Sequence, residues 1–160
     1  MKKIILLIIA CAFMQESFSQ KIIKLEYSDY ENIEFIEKNN LKEFATLTNN
    51  ANVGIAYLYP NEISTNTSEK NIKVIIINSK DINSLYRSFD FSNSIKIIII
   101  DIQSPKFNLD TIDCSKLKQF NNLNYIYYRY QFDIDNNYEL QDLNCLPENI
   151  IQVCSKLFTT

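Results

Sequence analysis

A chain of 160 residues with a single glycine, no histidine and a formal net charge of −3 excludes much chemistry before any pattern is read. Without imidazole there is no Ser-His-Asp or Cys-His machinery and no histidine metal ligand, and a lone Gly54 cannot build a phosphate-cradling or dinucleotide-binding turn. No Lys/Arg cluster forms a basic face, so nucleic acid and anionic membranes are poor partners, and no cofactor is expected.

Residues 1–19 read as a signal peptide: Lys2-Lys3 precede an apolar stretch from Ile4 to Met14, and Ser17-Phe18-Ser19 supplies small residues at the −3 and −1 positions, leaving Gln20 as the mature N-terminus. Cleavage removes two positive charges and one negative, taking the formal net charge from −3 to −4. A lipoprotein box, Ile8-Ile9-Ala10-Cys11, is the alternative and would anchor Cys11 to lipid. No later segment approaches the roughly 20 apolar residues of a transmembrane helix. The expectation is an exported protein, periplasmic, secreted or at the cell surface, with residues 20–160 forming one domain. The abundance of Asn, Ile, Lys and Tyr fits an AT-rich genome.

Lys21 to Tyr27 reads as a short strand, and Ser28-x-x-Glu31 as a capping box ahead of a helix from about Asp29 to Lys38. Asn40 is placed to cap a second helix carrying Leu41, Phe44 and Leu47 on one face, broken at Asn49-Asn50 by a residue type that tolerates the left-handed conformation. The strand Val53 to Tyr59 follows, then a polar stretch from Pro60 to Lys70 without apolar periodicity, read as a loop. Ile72 to Asn78 and Ile95 to Ile102 are dense in β-branched residues, which favours strands. Between them Ile82, Leu85, Tyr86 and Phe89 share one face of a helix starting near Asp81. Leu117 and Phe120 suggest a shorter helix before the strand Leu123 to Tyr130, and Tyr138 to Leu143 another helix. Pro147 and Glu148 stand as first-turn residues of a C-terminal helix burying Ile150, Ile151, Cys154, Leu157 and Phe158.

A pattern N/S-φ-x-x-φ-x-φ, with φ apolar, recurs as Asn52-Val53-x-x-Ala56-x-Leu58, Asn71-Ile72-x-x-Ile75-x-Ile77, Ser94-Ile95-x-x-Ile98-x-Ile100 and Asn122-Leu123-x-x-Ile126-x-Tyr128. From position 72 the steps are about 23 and 28 residues, within the roughly 20 to 29 of leucine-rich repeats. Asn32-Ile33-x-x-Ile36 and Asn149-Ile150-x-x-Val153 match its opening but fall in segments read as helical. Together with Leu109-x-x-Ile112-x-x-x-x-Leu117-x-x-Phe120, the stretch from Val53 to Tyr130 resembles leucine-rich repeat proteins. The resemblance implies an α/β fold: a short leucine-rich-repeat-like solenoid of parallel strands with helical caps at both ends. It departs from the family at the ladder asparagine, a position that falls here on Asn61, Lys80, Gln103 and Gln131. The alternative is a compact α/β domain with a parallel sheet covered on both faces, which near-continuous runs such as Val74-Ile75-Ile76-Ile77 and Ile97-Ile98-Ile99-Ile100 also fit. Exposure separates the two: solvent on Val74, Ile76, Ile97 and Ile99 marks the solenoid, and helices over them the covered sheet.

On a concave face the residues between the buried positions would meet a partner, and Ile99, Asp101, Tyr125, Tyr127 and Arg129 are the candidates, because rigid phenol rings and planar guanidinium groups dominate binding hot spots. The plainer reading is ordinary sheet packing with an Asp101–Arg129 surface pair. Asp133-x-Asp135-x-Asn137 imitates the start of a calcium loop, but Tyr138 holds the glycine position and Asn144 replaces the bidentate glutamate, so no metal is expected. The mature cysteines are Cys114, Cys145 and Cys154, an odd set in an oxidising compartment, and the expected pair is Cys145–Cys154. The functional expectation is an exported, non-catalytic binding or scaffold domain recognising a protein or cell-envelope partner. A periplasmic inhibitor or immunity-like protein is the second reading, and a glycoside hydrolase using two of Asp101, Asp133 and Asp135 is the remotest.

Overall fold

The computed structural model describes residues 22–67, 71–132 and 143–156. Seven strands form one sheet: β1 (Ile23–Leu25), β2 (Gly54–Leu58), β3 (Ile63–Thr65), β4 (Ile72–Asn78), β5 (Ile97–Ile102), β6 (Tyr125–Tyr130) and β7 (Ile151–Lys156). Their order is β1-β7-β6-β5-β4-β2-β3, parallel throughout except for the antiparallel edge pair β2–β3. The protein is therefore α/β with a mainly parallel sheet. The isoleucine-rich strands near 72 and 95 and the tyrosine-rich strand near 123 lie side by side and point the same way.

The repeated pattern has a structural cause. Ile75, Ile98 and Ile126 stand abreast, as do Ile77, Ile100 and Tyr128, and all six point into the larger of two apolar cores. That core is completed by the chain returns: the 3-10 helix Ser79–Tyr86, Phe89 and Phe91, then Leu109, Ile112, Leu117 and Phe120 around a short helix at Cys114–Leu117. In two of the copies the opening polar residue ties its segment to the preceding copy or return. Ser94 donates through Oγ to the Ile72 carbonyl at 2.5 Å, and Asn122 through Nδ2 to the Asn93 carbonyl at 2.6 Å. The four positions where repeat proteins carry a ladder asparagine, Asn61, Lys80, Gln103 and Gln131, are all exposed.

Strand residues of the opposite parity form a smaller core. After β1 the chain crosses this face as a 3-10 turn (Tyr27–Tyr30), helix α1 (Ile33–Lys38) and helix α2 (Lys42–Asn49), and Leu41 and Phe44 press onto Val74, Ile97, Ile99, Tyr125, Tyr127 and Val153. Val74, Ile97 and Ile99 are buried and Ile76 is half-buried, so the open concave face of a solenoid is not formed and the arrangement is that of the covered sheet. Apolar side chains on both faces of parallel strands require a cover on each.

Several local expectations are corrected. The helix expected from Asp29 starts only at Ile33, capped by Asn32, whose side chain accepts from the Phe35 N–H at 3.1 Å. The left-handed residue is Asn40, with φ of 56°, in the link between α1 and α2; Asn50 is extended. The stretch read as a loop contains the short edge strand β3. The C-terminal segment expected as a helix is β7, flanked by β6 and β1. Alternation decides it: Gln152 and Cys154 face one side and Val153 and Ser155 the other, and all four are buried. Setting aside Asn149-Ile150-x-x-Val153 as a copy of the repeat is sound in register though not in conformation, because Gln152 takes the slot beside Ile126. This buried amide accepts from the Tyr128 hydroxyl at 2.7 Å and the Leu143 N–H at 2.9 Å. Leu157, Phe158, the signal segment with Cys11, the calcium-like stretch from Asp133, and residues 138–142 of the expected helix lie outside the described residues.

The expected Cys145–Cys154 bond is not formed: the disulfide joins Cys114 to Cys145, and Cys154 is a buried free thiol. Cys154 belongs to a strand and points into the larger core, whereas Cys145 sits on an exposed turn beside the Cys114 helix. Burial pushes the Cys154 thiol up to about 12, so it stays protonated and unreactive. The disulfide closes a loop of sequence separation 31, worth about 3 to 4 kcal/mol by chain entropy. Replacing Cys114 and Cys145 together by serine is expected to lower the denaturant unfolding free energy by about that amount. An unshifted unfolding midpoint would show that the bond holds nothing the sheet does not already hold.

Candidate binding cleft

The carboxyl ends of the strands present two cross-sheet rows on the smaller-core face. Tyr57, Ile76, Ile99 and Tyr127 stand abreast from β2 to β6. One step further along the strands come Asn78, Asp101, Arg129 and Ser155, from β4 to β7. An apolar, partly aromatic row thus runs beside a polar one, both perpendicular to the strands.

The N-terminal segment covers the middle of this face but leaves its carboxyl end partly open. Between the sheet and the wall formed by Tyr27, Tyr30, Leu47 and Thr48 lies a cleft of about 500 Å³, a size typical of ligand sites. Its position follows from topology. The chain leaves β1 over the smaller-core face and leaves β4 and β5 over the larger-core face, so the departures from the two sides of the sheet diverge. Chains diverging to opposite faces leave a crevice at the strand ends between them, which is where open parallel sheets hold ligands.

Three hydroxyls meet at its inner end. Tyr30 and Tyr127 share a short hydrogen bond, Tyr127 and Ser155 are 2.5 Å apart, and Tyr30 donates to Ser155 at 3.4 Å. Three protons serve three edges, so a closed triangle has acceptor lone pairs left over and no proton to spare. Burial, then the neighbouring Tyr30 oxygen, raises the Tyr127 pKa well above the phenol's ordinary value. Arg129, also lining the cleft, grips Asp101 with two bonds, Nε–Oδ1 at 2.6 Å and Nη2–Oδ2 at 2.8 Å.

The five residues expected to touch a partner separate into three kinds. Ile99, Tyr127 and Arg129 line the cleft. Asp101 holds Arg129 from beside it. Tyr125 lies away from the cleft, with its ring edge against Phe44, centroids 5.7 Å apart, and its hydroxyl donating to the Asn40 carbonyl at 3.3 Å. Ile99, Tyr125 and Tyr127 are only 5, 5 and 4 % exposed, so the broad, open contact surface expected of them is corrected to a cleft wall and floor. The physical reason is Phe44, which occupies the place a partner would have taken.

Sequence reasoning missed Tyr27, Tyr30, Tyr57 and Ser155. The alternation Ile55, Tyr57 was available in β2, and Ser155 would have followed from reading the C-terminal segment as a strand. Tyr27 and Tyr30 depend on where the crossover lands, which no local pattern encodes. As for carboxylate catalysis, both oxygens of Asp101 are engaged by Arg129, and Asp133 and Asp135 lie outside the described residues. Among the described residues no group of three or more His, Cys, Asp or Glu could hold a metal ion, and no helix is long and apolar enough to cross a membrane. Comparison with protein families, with curated proteins and with solved structures found no match.

The raised Tyr127 pKa has a sign that can be measured. Above the ordinary phenol value of 10.0 the unfolded chain releases this proton while the folded chain keeps it, so stability falls as pH rises from 10 toward the folded value. Tyr127→Phe should flatten that alkaline slope. At neutral pH it should cost about 1 to 3 kcal/mol, because Ser155 loses its close partner. An alkaline unfolding profile identical to wild type would contradict the buried, neutral Tyr127.

Proposed function

We propose that this chain is an exported, non-catalytic binding or scaffold domain that recognises a protein or cell-envelope partner through the cleft at the carboxyl ends of its strands. The observation that carries the reading is the cleft floor: the apolar row Tyr57, Ile76, Ile99 and Tyr127 lies beside the polar Arg129 and Ser155 at the strand ends. Such a site positions and desolvates a ligand, and its one conspicuous charged pair is already closed on itself, which favours recognition over proton transfer. Export is supported by the leader-like residues 1–19 and by the Cys114–Cys145 disulfide, since such bonds persist in oxidising compartments.

The covered sheet keeps one trait of a repeat array, the stacking of successive parallel strands in chain order, with its inner face closed by the N-terminal segment. Support comes from the order of β2, β4, β5, β6 and β7, each beside its predecessor in the chain apart from the β3 hairpin, and from the 3-10 returns packed on one flank. Closing the inner face narrows an extended recognition surface to the cleft at its end.

The test uses Tyr27 and Tyr57, both exposed at the cleft. Wild-type protein and the Tyr27→Ala, Tyr57→Ala variant are immobilised and challenged with the native envelope fraction. The double variant should melt within a few degrees of wild type and lose the wild-type captures. Undiminished capture by the double variant would remove the cleft from the account.

A further inference from the structure

We infer that the cleft takes an uncharged oligosaccharide, an assignment that rests on the cleft being the recognition site and names its ligand class. Charge argues first. Among the described residues, two cations and no carboxylate line the cleft: Arg129 is held by Asp101 through two short bonds and Lys156 sits at the end of β7, so a cationic ligand finds no counter-charge there and an anionic one must compete with Asp101 for Arg129.

Hydrogen-bonding capacity argues second. The hydroxyl triangle can only accept further bonds, whereas Arg129 can only donate, and its Nη1 has no partner among the described residues. A ligand satisfying both must donate and accept over a short distance. Hydroxyl groups on adjacent ring carbons do so, each being donor and acceptor at once.

Shape argues third. Tyr57 and Tyr27 are 37 and 77 % exposed and stand at opposite ends of the cleft, one on β2 and one just beyond β1. Their rings offer flat apolar faces, and Ile76 continues that surface along the floor. A pyranose ring presents C–H groups on its faces and hydroxyls around its edge, so a chain of such rings lying across the strands places its faces on the apolar row and its edges toward Arg129 and the triangle. From β2 to β7 the floor crosses four strand spacings, about 19 Å, which accommodates several sugar units. An extended peptide fits less well: β4 to β7 are paired on both sides, so its N–H and C=O groups over the apolar row would find no backbone partner.

The test titrates the full chain with four neutral tetrasaccharides, built respectively from β-1,4-linked glucose, β-1,3-linked glucose, β-1,4-linked mannose and β-1,4-linked N-acetylglucosamine. Calorimetry reads affinity and backbone amide shifts read location. At least one should bind one-to-one with a dissociation constant below about 1 mM and shift amides of Tyr57, Ile76 and Arg129. Tyr57→Ala should weaken it about tenfold or more, and Tyr57→Phe, which keeps the ring, should restore it. No binding by any of the four, or binding indifferent to Tyr57→Ala, overturns the inference.

A second arm separates this failure from that of the binding function itself. If the envelope capture described above depends on Tyr27 and Tyr57 but is abolished by protease rather than by periodate, the partner is a protein: the cleft stands as a recognition site and the saccharide assignment falls. If capture ignores both tyrosines, the cleft and its ligand class fall together.

Discussion

Phe44 packs edge-on against two tyrosine rings, Tyr125 and Tyr127, at centroid distances of 5.7 and 5.1 Å, and the rest of the architecture depends on that contact. Strands β4, β5, β6 and β7 send apolar side chains to both faces. The chain returns cover one face. The other needs a cover of its own, and the link from β1 to β2 supplies it through Leu41 and Phe44 while carrying the chain across the sheet. Burying several large apolar side chains, each worth about 1.5 to 3 kcal/mol, outweighs what an open face of the same composition could offer.

This cover also makes the site. The N-terminal segment lies over the amino-terminal and central parts of the strands on that face, and beyond it the ends of β2 to β7 stay accessible as a cleft rather than a broad surface. Within it, polar groups are held by their neighbours: Asp101 orients Arg129, and Ser155 and Tyr30 fix the Tyr127 hydroxyl. A recognition site built from pre-oriented side chains on strands loses little entropy on binding.

Much of the frame was legible in the sequence, because the apolar pattern repeats at positions that stand abreast in the sheet, Ile75 beside Ile98 beside Ile126. Local periodicity therefore located β4, β5 and β6 and the flank of their returns. It failed where two periods overlap: Ile150 and Cys154 share a helix face at i and i+4, yet Gln152 and Cys154 share a strand face, and only the pairing of β7 with both β6 and β1 decides between them. The misplaced disulfide follows from the same error, since a strand turns Cys154 into the larger core and leaves Cys114 as the partner within reach of Cys145. Of the site, the Asp101–Arg129 pair and the cleft-lining Ile99 and Tyr127 were legible from the alternation in β5 and β6. Their burial was not, because Leu41 and Phe44 announce an amphipathic helix without saying which surface it will cover.

Aromatic side-chain proximity tests the account most directly. In a nuclear Overhauser spectrum of the folded chain, the ring protons of Phe44 should show strong cross-peaks to the rings of both Tyr125 and Tyr127, with the Tyr127 hydroxyl protected from exchange. A Phe44 ring with no contact to either tyrosine, and with both phenols freely exchanging with water, would mean that the inner face of the sheet is open and that the cleft does not exist.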